Sequence, residues 1–270
     1  MMYRPRCGRG AATLPLLLAV FLLLLSAPAC APQPLSVTRE PSTLQLVAAD
    51  SCAALVRNAA SAYEADHPWV TATSQVLNNA LAAEALQNDE ADLGLLSWGS
   101  VGGEAQPLWK EPFARDGVAV IVHPASSLTE ISLAQLRDIF LGRVQEQNGV
   151  VLTVVSREDG SGTRAALENI ALDHQDTSLN AVVVPSSEAM VNYVGATPSA
   201  IGYVSTRYLD DRVRALPVEG VSPTETAIAN ESYPIWRQLY LASSGDPTGE
   251  ARQFAQWLLR GGGLVEGAGR

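Results

Sequence analysis

The sequence predicts an α/β fold in which the strands of a mostly parallel sheet alternate with helices. Two patterns indicate this class: short runs of apolar, often β-branched residues with the length of buried strands, and helix-forming segments between those runs. The runs occur at 44–49, 70–76, 93–96, 118–122, 150–155, 181–184 and 200–205. Because α/β proteins bind ligands at the carboxyl ends of parallel strands, the residues that follow each run are the first candidates for a binding site.

Capping residues place the helices between these strands. Asp50-Ser51 precedes a predicted helix over 53–63, which His67-Pro68 ends, and Ser132 precedes a predicted helix over 133–141. Further helices are predicted over 80–87, 164–172, 187–194 and 250–260, with another beginning at 222–225, where a proline and a capping glutamate follow a serine.

The first 29 residues predict an export signal. Three arginines precede an apolar core, 16–25, that is too short to span a bilayer. Ala27-Pro28-Ala29 suits an ordinary leader peptidase, but Cys30 directly after it resembles the lipidated cysteine of a bacterial lipobox, with Ala27 where leucine is usual. We expect a signal peptide over 1–29, lipidation at Cys30 and a proline-rich tether over 30–43. The expected location is the cell envelope, as a lipoprotein on the membrane or as a free extracytoplasmic protein.

Composition excludes several functions. The 270-residue chain has a net charge of −10, and because the signal segment holds three arginines and no acid, the remainder carries −13. Such a chain is unsuited to nucleic acid, whose phosphates need basic surfaces. The three histidines are far apart, so no metal site is expected. Cys7 leaves with the signal and Cys30 would be acylated or terminal, which leaves Cys52 unpaired in the folded part, so no disulfide framework is expected. No cofactor motif or hydrolase elbow occurs, and we expect no enzyme.

The segment 154–164, VVSREDGSGTR, carries the clearest indication of a binding site. A strand, a glycine turn and a helix start follow one another, so free backbone N–H groups and the positive end of the helix dipole favour an anion. Ser161 and Thr163 add hydroxyl donors, and Arg157 adds a planar cationic fork. Asp159 is expected to orient that guanidinium. The local pattern alone is equally compatible with an ordinary helix cap beside a solvated arginine.

This loop resembles the R-x-D-G-S-G-T loop of the phosphate-binding periplasmic proteins of ABC transporters. Four other stretches are similar to stretches of that family and occur in the same order: 115–124, 132–142, 200–204 and 230–234. The resemblance implies a two-lobed periplasmic binding protein fold of type II, in which each lobe has a mostly parallel sheet flanked by helices and two strands cross between the lobes. It assigns 44–117 plus 205–270 to lobe 1 and 118–204 to lobe 2.

The resemblance also implies the residues of an oxyanion site in the cleft between the lobes. Those that match the family's anion ligands directly are Arg157, Ser161, Gly162 and Thr163. Those that occupy the corresponding loops of lobe 1 are Ser51, Cys52, Asn79 and Ser97. Asp50 and Trp98 are expected to support the site, although Trp98 stands where phosphate binders often have an aspartate. This departure leaves the identity of the oxyanion open.

The residues of lobe 1 also have ordinary structural interpretations. Cys52 suits a small buried position, Trp98 a packing position, Asn79 a turn and Asp50 a helix cap. Two functions therefore remain open. The first is an exported lipoprotein that captures phosphate or a related oxyanion and delivers it to an ABC permease. The alternative is a degenerate binding-protein fold that acts as an envelope sensor or protein-interaction module without transport.

Overall fold

A computed structural model describes residues 39–97, 108–147 and 149–262. The signal segment, Cys30, most of the predicted tether and Trp98 therefore lie outside the described residues. The described strands are β1 (Ser42–Ala49), β2 (Val70–Leu77), β3 (Leu93–Leu96), β4 (Trp109–Val122), β5 (Glu146–Gln147), β6 (Val150–Val151), β7 (Thr153–Arg157), β8 (Val182–Val184), β9 (Ala200–Ser205), β10 (Arg214–Ala215) and β11 (Trp236–Ser243).

The helices lie between these strands. They are α1 (Ala53–Asp66), α2 (Asn79–Gln87), α3 (Leu133–Phe140), α4 (Gly162–Ile170), α5 (Ser187–Ala196), α6 (Glu225–Ala229) and α7 (Gly249–Leu259). Short 3-10 turns follow β1 at Asp50–Cys52 and β9 at Thr206–Tyr208. Within the described ranges, no helix combines the length and the hydrophobicity that a membrane span requires.

The main sheet has the order β2-β1-β3-β11-β4-β9-β7-β8, with β10 paired to β4. Both ends of the sheet are parallel: β1 pairs with β2 and β3, and β7 pairs with β8 and β9. The centre is antiparallel, because β11 runs against β3 and β4, and β4 runs against β9. The prediction of an α/β fold with parallel strands and flanking helices is confirmed.

The apolar core divides along β4. Phe113 and Ala114, early in β4, pack in a cluster with β1, α1 and α7, whereas residues 118–122 pack in a second cluster with α3, α4 and α5. Residues of the 213–235 segment also pack in this second cluster, although the predicted division assigns them to lobe 1. The division into lobes at 117/118 and 204/205 stays a prediction.

Among the longer strands, β11 and β4 differ from the sequence prediction. β11 was not predicted, because its buried side alternates Arg237 with Leu239 and Leu241, and a buried arginine disguises an apolar alternation. The predicted strand 118–122 is the second half of β4, which begins at Trp109. The register of β4 against β11 shifts between Leu239 and Tyr240, opposite Pro112. Such a bulge accommodates a proline, which has no N–H for the ladder.

Candidate functional site

The predicted anion loop lines a narrow pocket in which no space is free for a water molecule. Its lining residues lie at the ends of β1, β2, β3 and β7 and at the start of α4. They are Ala49, Asp50, Ser51, Asn78, Asn79, Ser97, Arg157, Ser161, Gly162 and Thr163. Seven of the eight predicted ligand-binding residues thus lie together, and the eighth, Cys52, is not in the lining.

The start of α4 turns backbone donors toward this pocket. Gly160 has a φ of +80°, a left-handed conformation that suits glycine, and it bends the chain from β7 into α4. Ser161 is the N-cap, and its hydroxyl accepts from the N–H of Arg164 at 3.4 Å. The N–H groups of Gly162 and Thr163 belong to the first helical turn, so they have no partner within the helix. The geometry matches that of an anion seat.

The loop lies very close to the ends of β2 and β3. The N–H of Ala80 donates to the carbonyl of Gly160 at 3.0 Å, and Asn78 Nδ2 donates to the carbonyl of Asp159 at 3.4 Å. A Cβ added to Gly162 would lie 2.1 Å from Ser97 Oγ. Only glycine therefore fits at position 162 without a shift of its neighbours.

Arg157 ends β7 and is 2% exposed. Its backbone N–H donates to Tyr203 Oη at 3.1 Å, which ties the end of β7 to β9. Its guanidinium donates from Nε and Nη2 to the two carboxylate oxygens of Glu158, at 2.8 and 2.9 Å. Nη1 donates to Asp50 Oδ2 at 3.0 Å and to Ser187 Oγ at 3.1 Å.

These partners keep Arg157 charged. Burial lowers the pKa of the guanidinium, but the hydrogen bond to Glu158 and the charge of Asp50 outweigh burial and raise the pKa above its ordinary value. The cation is therefore present at every physiological pH. The carboxylates of Glu158 and Asp50 already accept hydrogen bonds from this guanidinium, so fewer of its N–H groups remain for a ligand.

The expected pairing of Asp159 with Arg157 is wrong. The Asp159 side chain is 95% exposed and its carboxylate pairs with Arg164 at 2.5 Å. The reason is local: β7 ends at Arg157, and the turn that follows carries Asp159 outward, while the adjacent Glu158 reaches the guanidinium.

Asn79 links two of the loops that line the pocket. Its Oδ1 accepts from the backbone N–H of Ser97 at 2.8 Å and from the Ser97 hydroxyl at 3.4 Å. Ser51 is buried, and its Oγ has no hydrogen-bond partner among the described residues. A hydroxyl that is buried beside the pocket and lacks a partner is suited to an incoming oxygen ligand.

Cys52 lies behind the pocket. It is fully buried among the apolar residues of the β1, α1 and α7 cluster. Burial raises the pKa of its thiol to about 12, so the thiol stays protonated. Within residues 39–97, 108–147 and 149–262, no group of three or more His, Cys, Asp or Glu side chains is arranged to hold a metal ion.

Three pocket neighbours were missed by sequence reasoning: Asn78, Glu158 and Ser187. Asn78 is the N-cap of α2, and its side chain accepts from the N–H of Leu81. Ser187 begins α5, just after β8. Their positions in the chain could have indicated these three residues, because each follows the end of a strand directly or closely.

The chain resembles known proteins along most of its length. The PBP superfamily domain matches residues 36–261. The phosphate-binding protein PstS of Bacillus subtilis (strain 168) is 34% identical over 163 residues, which cover 58% of this chain and 54% of that protein. The matched segment thus spans about half the length of this curated relative.

Two solved structures have the same fold. One, from Clostridium perfringens, holds bound phosphate and is described as a phosphate ABC transporter substrate-binding protein. It is 26% identical with a TM-score of 0.76, over 80% of this chain and 92% of that one. The other, an ABC-type phosphate transport receptor from Vibrio cholerae, is 26% identical with a TM-score of 0.68, over 80% of this chain and 93% of that one. Because the matched domain covers most of the sequence, the chain belongs to the PBP superfamily domain family.

Proposed function

We propose that the protein is an exported solute-binding protein that captures phosphate or a related oxyanion and delivers it to an ABC importer. The observation that carries this proposal is the convergence of polar groups from four strand ends on the first turn of α4, in one pocket. The names of the relatives from Bacillus, Clostridium and Vibrio support the same ligand class.

The chemistry of the pocket suits a small tetrahedral oxyanion. The N–H groups of Gly162 and Thr163, the hydroxyls of Ser51 and Thr163, and the guanidinium of Arg157 are donors from different directions. Such donors bind the oxygen atoms of a tetrahedral anion. Because no space for a water molecule is free between these groups, they must move apart before an anion can enter. Ligand capture requires no nucleophile or general base, so we propose no enzymatic activity.

The delivery step is proposed by analogy with proteins that close around their ligand. In this proposal, the part of the chain built on β1 to β3 and the part built on β7 to β9 move as two lobes about the central strands. The closed form would dock on a membrane permease. Signal removal after residue 29 and lipidation of Cys30 would keep the protein at the cell envelope.

Calorimetric titration tests the ligand. Purified protein without residues 1–29 is titrated with phosphate, sulfate, molybdate and tungstate at constant ionic strength. We expect saturable 1:1 binding of at least one of them. Failure to bind any of the four would exclude the transport proposal.

A sensor or protein-interaction module is the second candidate, and one observation favours it: Arg157 is already paired with two carboxylates. A pocket whose cation is neutralised internally resembles one that no longer binds an oxyanion. Binding of phosphate in the titration above would exclude a pocket that has lost its oxyanion.

A further inference from the structure

The carboxylate of Asp50 is bound as a ligand would be. Its Oδ2 accepts three hydrogen bonds: from Arg157 Nη1 at 3.0 Å, from the N–H of Ser187 at 2.9 Å and from Ser187 Oγ at 2.5 Å. A guanidinium, a hydroxyl and a backbone N–H at the start of the ten-residue helix α5 are the donors that a protein offers to an oxyanion.

These contacts connect parts of the protein that are distant in sequence and packed in different clusters. Asp50 follows β1, whose side chains lie in the cluster of α1 and α7, whereas α5 packs in the second cluster. The carbonyl of Asp50 also accepts from Tyr208 Oη at 2.8 Å. Asp50 therefore bridges the two halves of the fold at the carboxyl ends of the strands, where a bound ligand would bridge them.

The hydrogen bonds of Arg157 leave little for another anion. A guanidinium has five N–H groups. Two donate to Glu158, and both N–H groups of Nη1 donate to Asp50 and Ser187, which leaves one N–H on Nη2. The guanidinium and its two carboxylates sum to a charge of −1. An entering oxyanion would meet this excess negative charge as long as Asp50 stays in place.

We propose that Asp50 is a resident anion of the site: it holds the two halves together in the absence of ligand, and an entering oxyanion displaces it from Arg157 and Ser187. This inference rests on the proposed function for the identity of the entering anion, but the closure by Asp50 requires no ligand. Asp50 thereby lowers the affinity of the site for the oxyanion, because binding must first break an existing ion pair.

The first experiment measures closure alone. Small-angle X-ray scattering compares the ligand-free wild type with Asp50→Ala, which lacks the bridging carboxylate. We expect a larger radius of gyration for Asp50→Ala. Asp138→Ala is the matched control, because it removes an exposed carboxylate that pairs with Arg143, and it should scatter like the wild type. Equal radii for Asp50→Ala and the wild type would overturn the proposal.

The second experiment measures competition. Inorganic phosphate is titrated into the wild type, Asp50→Asn and Asp138→Asn, each checked for folding by thermal melting. Asp50→Asn keeps the shape of the side chain and removes its charge, so we expect phosphate to bind at least tenfold more tightly than to the wild type. Asp138→Asn should bind like the wild type. Unchanged or weaker binding by a folded Asp50→Asn protein would overturn the proposal.

The two experiments separate this inference from the function on which it rests. If neither the wild type nor Asp50→Asn binds phosphate, the proposed function fails, while the scattering result still decides whether Asp50 closes the protein. If only Asp50→Asn binds phosphate, the resident anion is supported and transport of phosphate by the wild type is not.

Discussion

Arg157 and Arg237 are both buried, and each pairs with an aspartate more than a hundred residues away in the chain. Arg237 lies on β11 directly opposite Asp116 of β4, and it donates to Asp116 Oδ2 from Nε at 3.0 Å and from Nη2 at 2.7 Å. Ser205 Oγ donates to the other oxygen at 2.8 Å. This pair is sealed inside the sheet, with 0% and 1% of the two side chains exposed.

Arg157 differs in what surrounds its partners. Asp50 and Glu158 keep 17% and 26% of their side chains exposed, and all three residues lie at or beside the pocket. The Arg237 pair joins neighbouring strands and is almost completely buried, so it serves the fold. The Arg157 pairs lie at the pocket that is proposed to bind an oxyanion, and the proposal makes them exchangeable. On that proposal, an arginine–aspartate pair is a structural tie in one place and an exchangeable contact in the other.

The largest expected effect is on the stability of the fold, which the buried pair of Arg237 and Asp116 supports. Arg237→Ala removes the cation that is hydrogen-bonded to the buried Asp116 carboxylate and leaves the longer contact from Arg207 Nε at 3.9 Å. We expect the free energy of unfolding to fall by about 3 kcal/mol, the lower end of the range for breaking a buried pair. Urea denaturation followed by circular dichroism measures this. Arg143→Ala, which breaks an exposed pair, should lose less than about 1 kcal/mol. Similar losses in the two variants would contradict a structural role for the buried pair.

The second prediction concerns Arg157 and the binding of phosphate. Arg157→Ala removes the one arginine of the pocket lining, and we expect phosphate affinity to fall about 100-fold, because a desolvated charge contact typically contributes about 2–5 kcal/mol to binding. Calorimetry on the folded variant measures this. Arg143→Ala should bind phosphate like the wild type. An Arg157→Ala protein with wild-type affinity would show that the ligand binds elsewhere.

A smaller effect is expected where the loop meets β3. Gly162→Ala places a Cβ against Ser97 Oγ, and overpacking of this kind costs about 1–3 kcal/mol of stability. Urea denaturation measures the loss. The control is Gly245→Ala, since a Cβ there meets nothing within 4 Å. Adding Ser97→Ala to Gly162→Ala removes the clashing oxygen and should restore part of the stability; no restoration would argue against this contact.

The smallest expected effect tests whether Cys52 lies outside the pocket. Burial raises the pKa of Cys52 to about 12, above its ordinary value near 9. Above pH 9 the unfolded chain loses this proton while the folded chain keeps it, so stability falls as pH rises, by about 1 kcal/mol at pH 10. Comparing the pH dependence of unfolding of the wild type with that of Cys52→Ala isolates this contribution.

Thiol chemistry gives the same test a second readout. The test uses protein without residues 1–29 that carries Cys30→Ser, so that Cys52 is its remaining cysteine. Folded, this protein should react slowly with a thiol reagent at pH 8, with or without phosphate, and unfolded in urea it should react fast. Fast reaction of the folded protein that phosphate suppresses would place Cys52 in the pocket instead of behind it.

Much of the fold follows from local patterns. The apolar runs predict β1 to β3 and β7 to β9, because a buried strand needs a short apolar run wherever it lies in the sheet. Ser132 and Ser161 each cap a helix by accepting a hydrogen bond from the backbone N–H three residues later, so their roles are visible in the sequence. β11 was missed because a buried arginine is compatible with a strand only when its partner is known, and Asp116 is that partner across the sheet.

The candidate site divides in the same way. Gly160 to Thr163 form the turn and helix start that the sequence predicts, because their geometry depends on neighbours in sequence. That this loop binds an anion stays a prediction. The partners of Arg157 do not follow from neighbours alone. Asp159 is the acidic residue of the R-x-D-G-S-G-T pattern and was expected to pair with Arg157. The chain turns after β7 and carries Asp159 outward, so Glu158 and Asp50 hold the guanidinium instead.

The amino-acid sequence by itself determined the α/β class, the positions of β1 to β3 and β7 to β9, most of the helix starts and the glycine turn that leads into α4, because each depends on interactions among residues close in the chain. Only the tertiary structure decided which carboxylates face Arg157, how closely Gly162 approaches Ser97 and that Cys52 lies behind the pocket. These contacts depend on the order of strands in the sheet, which brings residues 50, 97, 157 and 187 to one edge, and electrostatic pairing acts over distance in space, whatever the separation in sequence.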